Sequence, residues 1–195
     1  MSKLVQEELP DEVRKLRLGS AFRGYAKSIK GCITLTSEAR VLIVDDHSFN
    51  THISHNTNDE CRACIAINPE NHQLVVLSID HVLVSQHCGG MADGAVFDYR
   101  KFAFIEFKDE AHGNSVPQIE KTYDKAISQL HEAILLFKNK TADVKIDFIN
   151  AIDIECHIIV SESFPRVKTI EQQKMISFPL YNYNVPLSFE RNVNF

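Results

Sequence analysis

One segment constrains the fold more than any other: Phe102-Ala103-Phe104-Ile105-Glu106-Phe107-Lys108. Side chains alternate across a strand, so Phe102, Phe104, Glu106 and Lys108 share one face while Ala103, Ile105 and Phe107 share the other. Both faces are apolar until the charges begin, and a strand hydrophobic on both sides is covered on both sides. The chain is therefore expected to be layered, with this strand central and Glu106 and Lys108 at the margin of a core. Unpaired charge there costs several kcal/mol at order of magnitude, so something must compensate it.

The 195 residues are 44% hydrophobic and 24% charged, enough apolar material for one sizeable core and too much for a disordered tail. With seven Gly and six Pro, none clustered, no linker or repeat is visible, and a single domain over 1–195 is expected. No run approaches the roughly 18 apolar residues of a membrane span, and the polar start MSKLVQEELPDE lacks the apolar stretch of a signal peptide. A cytoplasmic protein without a membrane partner is the expectation.

Short runs rich in Val, Ile and Leu read as strands: Cys32 to Leu35, Val41 to Val44, Cys64 to Ile67, Gln73 to Ile79, Met91 to Phe97, Val144 to Ile149 and Glu155 to Ser161. Asn68-Pro69-Glu70-Asn71 reads as a hairpin turn, and His81 to Ser85 as a continuation of strand. A loose helical period runs from Leu4 to Leu18, with a second short helix over Ala21 to Ile29. A long helix is capped by Asn114 or Ser115, takes Pro117 in its first turn, and repeats apolar residues from Ile119 to Phe137 at steps of three and four. From Ile176 onward the chain is aromatic and Asn-rich without a period. The fold class expected is α/β, a mixed β-sheet flanked by helices.

If Asp98 to Lys101 make a four-residue turn, Phe97 lies opposite Phe102, and counting back places Asp93 opposite Glu106. Directly opposed residues have Cβ atoms roughly 4.5–5.5 Å apart, where two carboxylates repel unless a cation or shared proton intervenes. A hard divalent ion such as Mg²⁺ takes such oxygen ligands, with water and phosphate completing its shell. Lys108, two residues on and on the same face, is placed to orient a water or to stabilise developing negative charge.

Asp93, then Glu106-Phe107-Lys108 ending an apolar second strand, followed by a long helix and another strand, resembles the active-site pattern of the PD-(D/E)xK nuclease superfamily. The resemblance covers roughly Met91 to Ser161, with Ala92 where the motif's name has proline. It implies a restriction-endonuclease-like core in which Asp93 and Glu106 hold Mg²⁺ or Mn²⁺, the Phe107 carbonyl adds a ligand, and Lys108 assists the attacking water. It further implies hydrolysis of nucleic acid, DNA rather than RNA, in restriction, phage defence or repair. Some members supply an acid from an N-terminal helix, for which Glu7, Glu8 and Glu12 are candidates. Gln118 and Tyr123 are similar to the Gln and Tyr of the RecB-like branch, one residue further apart, and Lys121 and Lys125 share a helix face that could meet phosphate. A non-catalytic subunit that keeps the nuclease fold is the alternative, and a homodimer or larger complex fits either.

The formal net charge of -5 confines any polyanion contact to a local patch. Between Val13 and Ser37 there are six basic residues (Arg14, Lys15, Arg17, Arg23, Lys27 and Lys30) and no acidic one, a phosphate-contacting surface or a solvated helix face. Cys61-Arg62-Ala63-Cys64 has the spacing of half a zinc site, with His47, His52, His55, His87 and Cys88 nearby. No second pair completes it, and Cys64, opening an apolar strand, reads better as a buried thiol. His81 and His87 precede Asp93 closely enough to reach its neighbourhood. Asp45-Asp46 resembles the strand-end carboxylates of a doubly wound fold, which the strand-rich context disfavours.

Overall fold

The computed structural model describes residues 9–25, 28–46, 50–84, 90–108 and 115–195. In chain order its helices are α1 (Asp11–Lys15), α2 (Leu18–Ala21), α3 (Val116–Asp143), α4 (Phe148–Ala151) and α5 (Lys168–Tyr181), with 3₁₀ turns at Ile29–Cys32 and Thr57–Cys61. Its strands are β1 (Ile33–Thr36), β2 (Arg40–Asp45), β3 (Thr51–Ser54), β4 (Cys64–Ile67), β5 (Leu74–Ser78), β6 (Gly94–Phe97), β7 (Lys101–Lys108), β8 (Asp153–Val160), β9 (Leu187–Ser188) and β10 (Asn192–Asn194).

The expected α/β class holds, with two mixed sheets instead of one. A six-stranded sheet has the order β1-β5-β6-β7-β8-β9 and a four-stranded sheet the order β10-β4-β2-β3. The antiparallel half of the first sheet, β1 to β7, meets a parallel half formed by β7, β8 and β9, whose crossovers carry α3 and α5. β7 sits where the two halves join, and its six residues from Phe102 to Phe107 are all buried.

The alternation along β7 divides the core as its sequence requires. Phe102 and Phe104 join the cluster under the helices, where their rings meet Phe137 of α3 and Phe148 of α4 at centroid distances of 5.2–6.1 Å. Ala103, Ile105 and Phe107 face the second sheet, packing with Val41 and Ile43 of β2 and with Cys64 and Ala66 of β4. Each fully buried aromatic or aliphatic side chain contributes about 1.5–3 kcal/mol, which makes the strand a strongly held scaffold.

Several sequence expectations are corrected. Val144 to Ile149 is not a strand: Val144, Lys145 and Ile146 donate their N–H groups back to the last turn of α3, Lys145 has a left-handed φ of 62°, and Phe148 opens α4. Its apolar residues plug the core beneath α3 rather than lining a sheet. Asn68 to Asn71 is not a hairpin, because β4 and β5 belong to different sheets. The fully buried Asn68 turns the chain between layers, its side-chain amide donating to the Glu38 and His72 carbonyls and accepting from the His72 N–H. His81 to Val84 is a turn closed on Ile79 and Asp80, and Ser85 lies outside the described residues. Ala21 to Ile29 is not one helix but the end of α2, a turn and the start of a 3₁₀ segment, with residues 26–27 outside the description. The period from Leu4 to Leu18 resolves into α1 and α2 across the described part. α5 was not expected, its period masked by polar residues between the buried Ile170, Glu171 and Phe178.

Candidate functional site

The hairpin β6–β7 is set by its turn. The Asp98 side chain, 1% exposed, accepts the Arg100 and Lys101 N–H groups on Oδ1 at 2.6 and 2.7 Å, and the Asp98 N–H donates to the Lys101 carbonyl at 3.0 Å. This side-chain turn fixes the register from Phe97 opposite Phe102 to Gly94 opposite Ile105. Asp93, the residue before β6, lies just beyond the last register pair, beside the end of β7, where its side chain takes the Phe107 N–H.

Asp93 is clamped from two sides. Its carbonyl accepts the N–H groups of Ile79 at 2.9 Å and Asp80 at 3.2 Å, and its Oδ2 accepts the Phe107 N–H at 2.6 Å. Glu106 is fully buried; its Oε1 accepts Lys108 Nζ, while Oε2 is buried without a hydrogen-bond partner. Lys108 Nζ also donates to Gln129 Oε1 at 3.0 Å, and Gln129 Nε2 donates to the Met91 carbonyl at 3.2 Å. The amide of α3 thus ties the end of β7 to the segment that leads into β6. Gly90, with a φ of +76°, leaves room for this side chain: a Cβ there would stand 3.1 Å from Gln129 Nε2.

The electrostatics follow from this enclosure. Burial raises the Asp93 carboxyl to about 7; the Phe107 N–H opposes the rise, Asp45 and Asp80 add to it, and Lys108 opposes it. Burial also raises Glu106 well above the ordinary carboxylate range, the charge of Asp93 adds to it, and Lys108 offsets part. Asp45 closes β2 in the second sheet and accepts Thr51 Oγ1 at 3.3 Å, so both sheets bring negative charge to one end of β7.

The donor set suits a hard cation of the kind that takes one or two carboxylates and keeps water for the rest. The charge of Asp93 acts on Glu106, and Glu106 Oε2 is an orphaned, fully buried oxygen. Among the described residues there is no group of three or more His, Cys, Asp or Glu side chains that could hold a metal ion.

Other expected residues lie elsewhere. Arg14, Arg17, Arg23 and Lys30 line a groove of about 630 Å³ with Phe22 and Ile29. Lys15 Nζ donates to the Tyr99 carbonyl at 2.6 Å, Arg17 Nη1 donates to the Val144 carbonyl at 3.0 Å, and Arg14 pairs with Asp11. Tyr99 is in the turn that starts β7, whereas Glu106 is near the strand's other end. At about 3.3 Å per residue, the basic cluster is roughly 20 Å from the carboxylates. Glu12 accepts Gln73 Nε2 at 2.8 Å before the start of β5, also at the turn end, so it does not join the site. Gln118 is exposed and bonded to Ser115, and the Tyr123 hydroxyl donates to Glu171 at 2.8 Å, where Arg166 binds the same carboxylate through two bonds. Lys121 and Lys125 are both exposed.

Cys61 is exposed while Cys64 is buried, its thiol pushed well up by desolvation. The Nδ1 of His52 faces the Asn50 carbonyl, and His81 faces Asp80 at 3.5 Å. Lys27, Glu7, Glu8, His47, His87, Cys88 and Asn114 lie outside the described residues.

Gln129 is the site residue that sequence reading missed. Its signal is a polar side chain inside the apolar stripe of α3, three residues after Ala126 and four before Ala133. Asp45 and Asp80 carry no comparable signal, because Asp45 comes from the other sheet and Asp80 is brought beside Asp93 by the pairing of β5 with β6. No helix among the described residues is long and apolar enough to cross a membrane. Compared with protein-family models, curated proteins and solved structures, the chain matches none of them.

Proposed function

We propose that this chain is a Mg²⁺-dependent nuclease with a restriction-endonuclease-like core of the PD-(D/E)xK type, acting on DNA in restriction, phage defence or repair. The observation that carries the reading is the end of β7: Asp93 held on the Phe107 N–H, Lys108 paired with Glu106, and one buried Glu106 oxygen without a partner. Asp93, Glu106 and the Phe107 carbonyl would hold the ion. When bound, Mg²⁺ supplies a Lewis acid for the phosphoryl oxygens and lowers the pKa of water.

The chain's own groups do the rest. Lys108 Nζ, held by Gln129, presents a fixed positive charge to the attacking water and to the negative charge that develops on the phosphate. Asp93 keeps its orientation through the Phe107 N–H, so the two carboxylates are pre-positioned by the sheet itself. In the hydrolysis, an oxygen–phosphorus bond forms from water and the bond to the leaving oxygen breaks; that oxygen takes up a proton, leaving one phosphate and one hydroxyl end.

A second reading, a non-catalytic nuclease-fold subunit, draws on a different observation: Lys108 already compensates Glu106 without any ion. Cleavage of circular DNA, linear DNA and RNA under titrated Mg²⁺ or Mn²⁺ separates the two. Metal-dependent cutting that Asp93→Ala and Lys108→Ala each abolish supports the nuclease; no cutting of any substrate, or variants that cut like the parent, defeats it.

A further inference from the structure

α5 exposes an apolar ridge. Ile176 is 72% exposed, Leu180 73% and Tyr181 77%, with Met175 and Tyr183 more than two-fifths exposed beside them. Ile176 and Leu180 stand four apart and so share one face of the helix. The fifteen residues from Met175 to Phe189 contain no Asp, Glu, Lys or Arg, in a chain that is 24% charged. Phe178 and Phe189 of this stretch are buried, each 2% exposed, so the exposed residues are not simply an unpacked tail.

Next to the ridge is a groove of about 390 Å³ between α3 and α5, lined by Ile127, Ser128, His131, Phe178 and Tyr181 among others. Its walls are firmly built: Lys174 Nζ pairs with Asp124 at 2.5 Å, and His131 Nδ1 meets Asn182 Oδ1 at 2.7 Å. Ridge and groove therefore lie side by side on one surface.

We propose that this surface binds a second copy of the same chain, related by a two-fold axis, with Ile176 and Leu180 of each protomer entering the α3/α5 groove of the other. A two-fold interface must be complementary to itself, which a ridge adjacent to a groove satisfies. Nucleic acid is a poor occupant, because its affinity rests on cations, and those beside this stretch are engaged, Lys174 with Asp124 and Glu120 and Lys138 over the Tyr183 ring. Interfacial membrane helices likewise carry Lys and Arg on their polar face. Depletion of charge with enrichment of Tyr and Met is the composition of a protein interface core. The five exposed side chains present on the order of 600 Å² of largely apolar surface, against about 800 Å² per partner in a standard interface, so the groove walls need to supply only the remainder.

The test uses the full chain and needs no activity. Sedimentation velocity across micromolar concentrations is expected to show twice the 22.2 kDa protomer mass, reduced to the protomer by Ile176→Asp with Leu180→Asp at an unchanged far-UV spectrum. Mixing a Ser128→Cys chain with a Leu180→Cys chain is expected to give a disulfide-linked dimer that neither chain gives alone, which keeps the test independent of how the double variant folds. A parent that stays at the protomer mass, a dimer that survives the charged pair, or the absence of the mixed disulfide overturns the proposal.

Discussion

Lys108 on β7 donates to the side-chain carbonyl of Gln129 on α3 at 3.0 Å, and that one bond joins the helix layer to the charged end of the central strand. The same amide donates to the Met91 carbonyl, so its removal leaves an acceptor and a cation short of partners in a buried setting. A buried polar group left unsatisfied costs about 1–3 kcal/mol. Gln129→Leu is therefore expected to lower the melting temperature by several degrees and to reduce any metal-dependent cleavage more than it reduces substrate binding. Calorimetry and a kcat against KM comparison read the two effects.

The pair Asp93 and Glu106 makes stability depend on pH. Asp93 ionises near the ordinary carboxylate value when unfolded and at about 7 when folded, so between those values the native state binds more protons than the unfolded state. Stability contributed by this group is present at the acid end and is lost as pH rises from about 4 to about 7, by up to a few kcal/mol at about 1.4 kcal/mol per unit. Glu106, raised by the same burial, extends the loss in the same direction. Denaturant titrations at pH 5 and pH 8 should show the weaker fold at pH 8, and Asp93→Asn should shrink the difference. A fold that is stronger at pH 8 would contradict it.

Mg²⁺ should reverse that weakness. An ion bound only by the native state raises apparent stability with the logarithm of its concentration over its dissociation constant. Thermal shift at pH 8 is expected to rise with Mg²⁺ in the parent and to stay flat in Asp93→Asn and Glu106→Gln, whether or not any substrate is cut.

Lys108 and Glu106 should be coupled. Removing one partner of a buried pair costs about 3–5 kcal/mol, whereas replacing both with neutral groups of similar shape is close to neutral. Lys108→Met alone is expected to destabilise the fold strongly, and Lys108→Met with Glu106→Gln to recover most of the loss. A double-mutant cycle by denaturant unfolding measures the coupling, and additive single effects would count against the pair.

Gly94 marks how closely the two sheets approach beside the site. A Cβ there would lie 2.6 Å from Thr51 Cγ2, 2.7 Å from Thr51 Oγ1 and 2.8 Å from the Leu77 carbonyl. Since the Leu77 oxygen belongs to the backbone, Gly94→Ala is expected to cost about 1–3 kcal/mol, only partly relieved by Thr51→Ala. Chemical denaturation of the single and double variants gives the comparison.

Local pattern was enough for the hairpin and the long helix. The Asp98 turn and two flanking apolar runs determine the register from Phe97 opposite Phe102 to Gly94 opposite Ile105, because strand periodicity is two and the turn length is set by the Asp98 side chain. Steps of three and four determine α3 in the same way. Where apolar residues serve a non-repeating purpose, pattern misleads: Val144 to Phe148 alternates like a strand yet closes α3 and plugs the core.

A doubly buried strand ending in Glu106 and Lys108, hairpinned to the run after Asp93, follows from residue order alone. What surrounds that end came from the packing of layers: Gln129 from a helix more than twenty residues later, Asp45 from the other sheet, and the basic cluster at the far end of β7. Spacing along a strand or helix is local and periodic, so a count recovers it. Which helix face lies over which strand, and which sheet edge meets which, depends on how whole layers fill space, and no short window of residues records that.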